Sequence, residues 1–311
     1  MAAAEITRTR AWLIATRPQT LPAGISPVIV GTAIAIEKDV FAIWPAMAAL
    51  IGALLIQIGT NFANDYFDAK RGVDTEDREG FTRVTHAGLI EPVAVRRAMT
   101  ASFAAAILIG TYLVYIGGMP IVVIGLVSVA CGVAYAGGPF PFGSYGLGDL
   151  FVFVFFGLVA TAGTYYVQAV TTVTSPFPLW LPSGTVSSLA ILAGVAMGAL
   201  TTAILVVNNL RDIETDREAG KYTLAVYLGK RYTKVEFVGL LFLAYAIPVL
   251  LVDQLESWLV GLPLLSIPYA VIITRTVVWG PGGSTLNHSL EATGRLLVVY
   301  TGLLAIGVIM A

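Results

Sequence analysis

The sequence predicts an all-α protein that crosses a membrane many times, about nine helices packed into one bundle. Three observations predict it. The 311 residues are 57% hydrophobic and only 12% charged, whereas a soluble domain carries roughly twice that charged fraction. The mean hydropathy is +0.83, and the apolar residues fall in runs of spanning length with the basic residues gathered on one side of them. Such a chain cannot cover its exterior with polar side chains in water, so its solvent is lipid. The formal net charge of −1 says less than where the charges lie.

A spanning helix needs about 20 largely apolar residues. Taken in order, such runs centre on 21–36, 41–63, 93–115, 120–136, 147–170, 187–208, 235–252, 257–275 and 290–310. The stretch before the first run is basic (Arg8, Arg10) but continues into Arg17 and Pro18 without a small-residue cleavage site, so it is not read as a cleavable signal peptide. The second run leads into a polar segment, 64–91, and the sixth into another, 208–234. The remaining connections are short, and the fourth-to-fifth, GGPFPFGSYGLGD, is rich in Gly and Pro without a basic residue. No separate soluble domain fits these lengths. The expectation is one domain, 1–311.

Charge sets the orientation. With the N-terminus cytoplasmic, all but Lys38 of the 18 Lys and Arg residues fall on the cytoplasmic side, a strong positive-inside signal. An odd number of spans then puts the C-terminus outside. Trp44, Trp180 and Trp258 come at outer ends and Trp12 and Trp279 at inner ones, as an interfacial aromatic belt requires. The lone cysteine, Cys131, sits in an apolar run; it forms no disulfide framework or thiolate cluster and reads as a packing residue.

The two polar segments carry a repeated pattern. The first reads NDYFDAKRGVD from Asn64 to Asp74, the second NNLRDIETD from Asn208 to Asp216. Each places Asn four residues before its first Asp, Asp68 or Asp212, at the cytoplasmic end of a long apolar run. Residues at i and i+4 share a helical face, so each motif presents a polar ridge to a common cavity, and Asp216 extends the second ridge by a turn. The repeat implies two related halves. Asp74 is six residues beyond Asp68; the helix is expected to open near Gly72 so that Asp74 swings back toward the site.

Carboxylates at a membrane edge repel one another and are costly to desolvate unless a cation compensates them. Magnesium prefers oxygen ligands and is typically held by one or two carboxylates plus substrate phosphates. Two facing carboxylate clusters therefore fit Mg²⁺ bridged by a diphosphate, whose outer oxygens Arg83, Arg211 and Lys221 would take. One DxxxD alone is ordinarily solvated surface; two copies with Asn at one offset and at the same end of a span are not. Asp65, Glu76, Asp77, Glu79, Glu214 and Glu218 are read as solvated or paired with local arginines, and His86 and His288 as non-catalytic. Tyr135 is placed either to face a cation with its ring or to anchor at the interface. Arg17 either reaches an acceptor carboxylate or, more plainly, marks the positive-inside boundary.

NDYFDAKRGVD followed by RVTHAGLI, and NNLRDIETDREAGKYTLAVYLGKR, resemble the two signature regions of the UbiA superfamily of intramembrane prenyltransferases. TRPQTLPAGISPVIVGTA, the NDYFDAKRGVDT form of the first motif and GLGDLFVFVFFG look most like the 1,4-dihydroxy-2-naphthoate polyprenyltransferases (MenA type) of menaquinone synthesis. The resemblance implies nine spans around a central cavity open to the cytoplasmic side, in the inner (plasma) membrane. It implies Mg²⁺-dependent transfer of a polyprenyl chain from its diphosphate to 1,4-dihydroxy-2-naphthoate, the ring carboxylate leaving as carbon dioxide. Carried over by position, Asn64, Asp68, Asn208, Asp212 and Asp216 would hold magnesium and diphosphate, and Arg83 and Lys221 would bind phosphate oxygens. Many relatives have Asp where Gly72 stands; the menaquinone type moves that carboxylate to Asp74.

Two other readings compete. The same fold could prenylate another acceptor, such as 4-hydroxybenzoate, homogentisate, haem or a glycerol phosphate. A transporter with duplicated halves would place its ionisable residues near the bilayer midplane, and few are available here. A purely structural protein leaves the repeated acidic ridge unexplained. The expected partners are prenyl diphosphate, naphthoate and the bilayer, with no nucleic acid.

Overall fold

The computed structural model describes residues 6–71, 83–135, 137–138, 140–173 and 176–311. They form a multi-pass helical bundle without strands among the described residues. In order, the helices are α1 (Arg8–Thr16), α2 (Leu21–Glu37), α3 (Ile43–Arg71), α4 (Pro92–Ala134), α5 (Gly148–Phe153), α6 (Ala160–Val173), α7 (Ser188–Arg211), α8 (Ile213–Glu218), α9 (Leu224–Leu255), α10 (Ile267–Trp279) and α11 (Ser284–Ile309). The expected helix opening near Gly72, and Asp74 itself, lie outside the described residues.

Among the described residues, eight helical stretches are long and apolar enough to cross a membrane. One of the eight, α4, of 43 residues, holds both the third and the fourth apolar runs of the sequence. At about 1.5 Å per residue it would be roughly 65 Å long, twice a hydrocarbon core, and it does not run straight. It breaks at Gly118 (φ 64°, ψ −149°) into arms 92–117 and 119–134. That backbone conformation suits glycine alone, and a Cβ there would collide with the carbonyl of Pro178. The Pro178 carbonyl accepts the Met119 amide at 2.9 Å, and Phe177 donates to the Tyr115 carbonyl at 2.9 Å, so the chain before α7 staples the turn.

The spine is α7. Ala190, Ala193, Met197, Leu200, Ala203 and Val207 are all buried, as expected of a helix apolar all round. It meets the π-helical stretch Val154–Val159 between α5 and α6 at three glycines. A Cβ on Gly157 would lie 2.5 Å from the Gly194 carbonyl oxygen and 2.5 Å from the Gly198 Cα, the small-residue contact that lets membrane helices approach closely. Gly157→Val is therefore expected to destabilise the protein by about 1–3 kcal/mol or more. Thermal unfolding in detergent tests this, and an unchanged midpoint contradicts the close contact. On the far side of α7, α11 is tied to α9 where the buried Tyr300 hydroxyl donates to the Ala244 carbonyl at 2.6 Å. Trp44, Trp180, Trp258 and Trp279 are exposed, as an aromatic belt requires, whereas Trp12 is half-buried and packs edge-on against Phe62, ring centroids 5.8 Å apart.

Candidate active site

The last turns of α3 carry polar residues on one face: Gln57, Asn61, Asn64 and Asp68 all line a cavity of about 830 Å³ inside the bundle. Spacings of four, three and four residues keep them on a single stripe. At its base the chain turns between α1 and α2, where Arg17 is left-handed (φ 51°) ahead of Pro18. Asn61 donates to the Thr16 carbonyl (2.9 Å) and the Thr20 hydroxyl (3.0 Å), and Gln57 donates to that hydroxyl at 3.1 Å. These bonds set Arg17 on the cavity wall.

The segment after the first motif folds back over it. Val84 and Ile90 are buried with Ala11, Ala15, Phe62 and Val95. The amides of Leu89 and Ile90 both donate to the Val84 carbonyl, at 2.9 and 3.2 Å. This apolar plug brings Arg83 onto Asp68, with Nη2 2.8 Å from Oδ2 and both side chains more than nine-tenths buried. Asp65, read from sequence as solvated, is instead buried; its Oδ1 accepts the Thr85 amide at 3.5 Å. One turn before Asp68 on α3, it anchors the plug.

The second motif begins inside α7 and passes through its end. Asn208 and Asn209 line the same cavity as Asn64 and Asp68. Asp212 caps α7 and α8 continues beyond it, the Asp216 amide donating to the Asp212 carbonyl at 2.7 Å. Asp212 and Asp216 are both buried, beside the cavity and not on its wall. Arg211, expected to reach phosphate oxygens, has a different setting. Its Nε and Nη2 lie 2.7 Å from the two Asp212 oxygens, Nη1 donates to Asn287 Oδ1 at 2.7 Å, and Nη2 also donates to Asn208 Oδ1 at 2.9 Å. Lys221 Nζ donates to Asp216 Oδ1 at 3.2 Å and is itself on the wall.

Three carboxylates are thus matched by three cations, one pair from the first motif and two from the second. Tyr135, at the end of α4, sits where the two motifs meet. The charges acting on its phenol come from Asp149, Asp68, Asp216 and Arg17. Its ring packs against Gly143 and Gly148. His86 and His288 are exposed and off the cavity. Glu214 is exposed and paired with Lys230 and Arg217; the Lys230 ammonium holds its carboxyl below the ordinary value. Cys131, expected as a packing residue, lines the wall.

Hard oxygen donors from both motifs suit magnesium. Among the described residues, no three acidic, His or Cys side chains converge into a metal cage of their own. Sequence reasoning missed Gln57, Asn61, Asn287 and the buried Asp149. The first two were legible as a polar stripe climbing an apolar helix; Asn287 had no sequence signal, because only the packing of α11 on α7 brings it to Arg211.

Residues 24–303 match the UbiA prenyltransferase family. The chain is 37% identical over 300 residues to the 1,4-dihydroxy-2-naphthoate octaprenyltransferase of Mycobacterium tuberculosis, covering 95% of this chain and 97% of the relative. It is 34% identical over 317 residues to the protein of that name from Escherichia coli, covering 99% and 97%. Among solved structures, the apo UbiA homolog from Aeropyrum pernix K1 superimposes with a TM-score of 0.68 at 12% identity, covering 90% of this chain and 96% of that one. The UbiA homolog from Archaeoglobus fulgidus bound to GPP and Mg²⁺ gives 0.65 at 17%, covering 97% and 100%. At these identities the two structures speak for the fold.

Proposed function

Because this chain belongs to the UbiA prenyltransferase family, we propose that it transfers a polyprenyl chain from its diphosphate to 1,4-dihydroxy-2-naphthoate, releasing carbon dioxide and forming demethylmenaquinol. One observation carries the chemistry: Asn64, Asp68 and Arg83 from the first motif region and Asn208 and Lys221 from the second line a single apolar cavity, with Asp212 and Asp216 buried beside it. The acceptor rests on relatives more than one third identical over nearly the whole chain. The clustering of basic residues on one side supports a site and N-terminus facing the cytoplasm. With the two arms of α4 counted as separate crossings the total is odd, which puts the C-terminus outside, in a multi-pass protein of the inner (plasma) membrane.

Asn64, Asp68, Asn208, Asp212 and Asp216 would hold magnesium, with Asp74 a further candidate. When bound, magnesium supplies positive charge that stabilises the departing diphosphate. Arg83 and Lys221, now paired with Asp68 and Asp216, would shift to the phosphate oxygens, where charge-assisted hydrogen bonds are strongest. Arg211, enclosed by Asp212, Asn208 and Asn287, acts as a positioning residue for Asp212. The allylic C–O bond breaks with its electron pair leaving on diphosphate. A ring carbon of the naphthoate gives its π pair to the allylic carbon, and the carboxylate on that carbon departs as carbon dioxide, its pair restoring the aromatic ring. Tyr135 turns its ring toward the cation, Arg17 faces the acceptor carboxylate, and the apolar wall keeps out the water that would capture the cation.

The test is an acceptor panel: purified protein, magnesium, one prenyl diphosphate, and naphthoate, 4-hydroxybenzoate and homogentisate in parallel. The expected product is the prenylated, decarboxylated naphthoquinol, with carbon dioxide released in equal amount. Prenylation of another acceptor in preference overturns the substrate assignment.

A further inference from the structure

Four cavity glycines are explained by neither helix stability nor helix packing. Gly52 on α3, Gly110 and Gly125 on the two arms of α4, and Gly163 on α6 all line the cavity. All four lie inside helices, where glycine is the poorest former short of proline. Packing glycines in this protein have neighbours that forbid a side chain: a Cβ on Gly31 would sit 2.5 Å from the Thr161 carbonyl oxygen, and one on Gly198 2.6 Å from that of Phe153. At Gly52, Gly110, Gly125 and Gly163 an added Cβ meets nothing within 4 Å. What a side chain there would occupy is the cavity itself.

The four come from different segments but share a depth. At about 1.5 Å per helical residue, Gly110 and Gly125 lie roughly 12 and 10 Å from the Gly118 break, Gly52 roughly 13 Å from the start of α3, and Gly163 roughly 15 Å from the end of α6. All these reference points are at the end of the bundle away from the motifs. Along α3, Gly52 and Asp68 are roughly 24 Å apart by the same measure. Beyond the glycines the cavity continues to Ala49, Leu113, Ile121 and Val167. All four belong to or pack against an apolar cluster that also holds Tyr166, whose hydroxyl donates to the Gly117 carbonyl at 2.7 Å.

We propose that Gly52, Gly110, Gly125 and Gly163 form a belt that leaves the cavity wide enough for a long prenyl tail, and so set the length of donor the site accepts. The proposal rests on the prenyl-transfer reading above. A short donor held by its diphosphate at Asp68 ends before the belt; a long one passes through it. An added Cβ at these cavity-lining positions meets no atom within 4 Å, and leucine is a better helix former than glycine.

The test compares kcat/KM for octaprenyl and geranyl diphosphate in wild type, Gly52→Leu, Gly163→Leu and the double variant. Gly239→Leu is the control: Gly239 also has nothing within 4 Å of its Cβ, but it lies on α9 in a groove outside the cavity. The octaprenyl-to-geranyl ratio is expected to fall at least about tenfold in the double variant, the discrimination that a few misfitting methylenes give in an apolar pocket. The singles should fall less, and Gly239→Leu should keep the wild-type ratio. If the double variant fails to insert, Gly110→Leu and Gly125→Leu provide the same ratio. An unchanged ratio in variants that still transfer geranyl groups, or equal loss of both donors, overturns the belt. Failure of the wild type to transfer either donor overturns the function proposed above instead.

Discussion

Asp212→Ala is expected both to stop prenyl transfer and to destabilise the protein in the absence of magnesium. The two effects have separate causes. Asp212 is paired through both oxygens with Arg211 at 2.7 Å, and the two side chains are 2% and 1% exposed. Removing one member of a buried pair leaves an uncompensated charge and costs about 3–5 kcal/mol, whereas replacing both by apolar groups is often neutral or better. The double variant Asp212→Ala with Arg211→Met should therefore recover most of the stability and none of the activity. Unfolding in detergent without magnesium, alongside turnover with it, separates the two. A single variant as stable as wild type means the pair is not closed off from solvent. A double variant that turns over removes Asp212 from the site.

The second large effect is at Asp68. Asparagine there keeps the size and one acceptor oxygen but removes the charge that Arg83 pairs with and that the proposed magnesium ion would need. Turnover should fall by at least about 10²–10³-fold, the cost of losing one well-placed electrostatic group at a reaction centre. Binding gives an independent readout. An unreactive prenyl diphosphate analogue with magnesium, at 100 times its Kd, should stabilise the wild type by about 2.7 kcal/mol and leave Asp68→Asn nearly unmoved. Equal stabilisation of both proteins would show that Asp68 does not take part in holding the ion and its diphosphate.

These two residues also show how far one-dimensional reading reaches. The offset of Asn64 to Asp68 and of Asn208 to Asp212 is one helical turn, so helical periodicity alone assigns each set a common face. The polar stripe continues downward through Asn61 and Gln57 by the same rule and was equally open to reading. Arg83 was legible as a basic residue following the motif. That it closes on Asp68 depends on Val84 and Ile90 seating the segment among Phe62, Ala15 and Val95, a contact between residues far apart in sequence. Arg211 lies next to Asp212, and sequence offered it equally as a ligand for phosphate. Its role as a brace for Asp212 follows from Asn287, which arrives on a helix more than seventy residues away.

By itself, the sequence determined the solvent, the helices and the shared helical face of the Asn and Asp in each motif. Apolar run length and helical periodicity are local properties, and a bilayer forces every spanning backbone segment to satisfy its own hydrogen bonds. Only the tertiary structure decided that both motifs open on one cavity, that α4 turns back at Gly118, and which cation neutralises which carboxylate. Those outcomes depend on packing between distant segments. Glycine contacts such as Gly157 on Gly194, and buried charge pairs that are stable only when both partners arrive, leave no periodic trace along the chain.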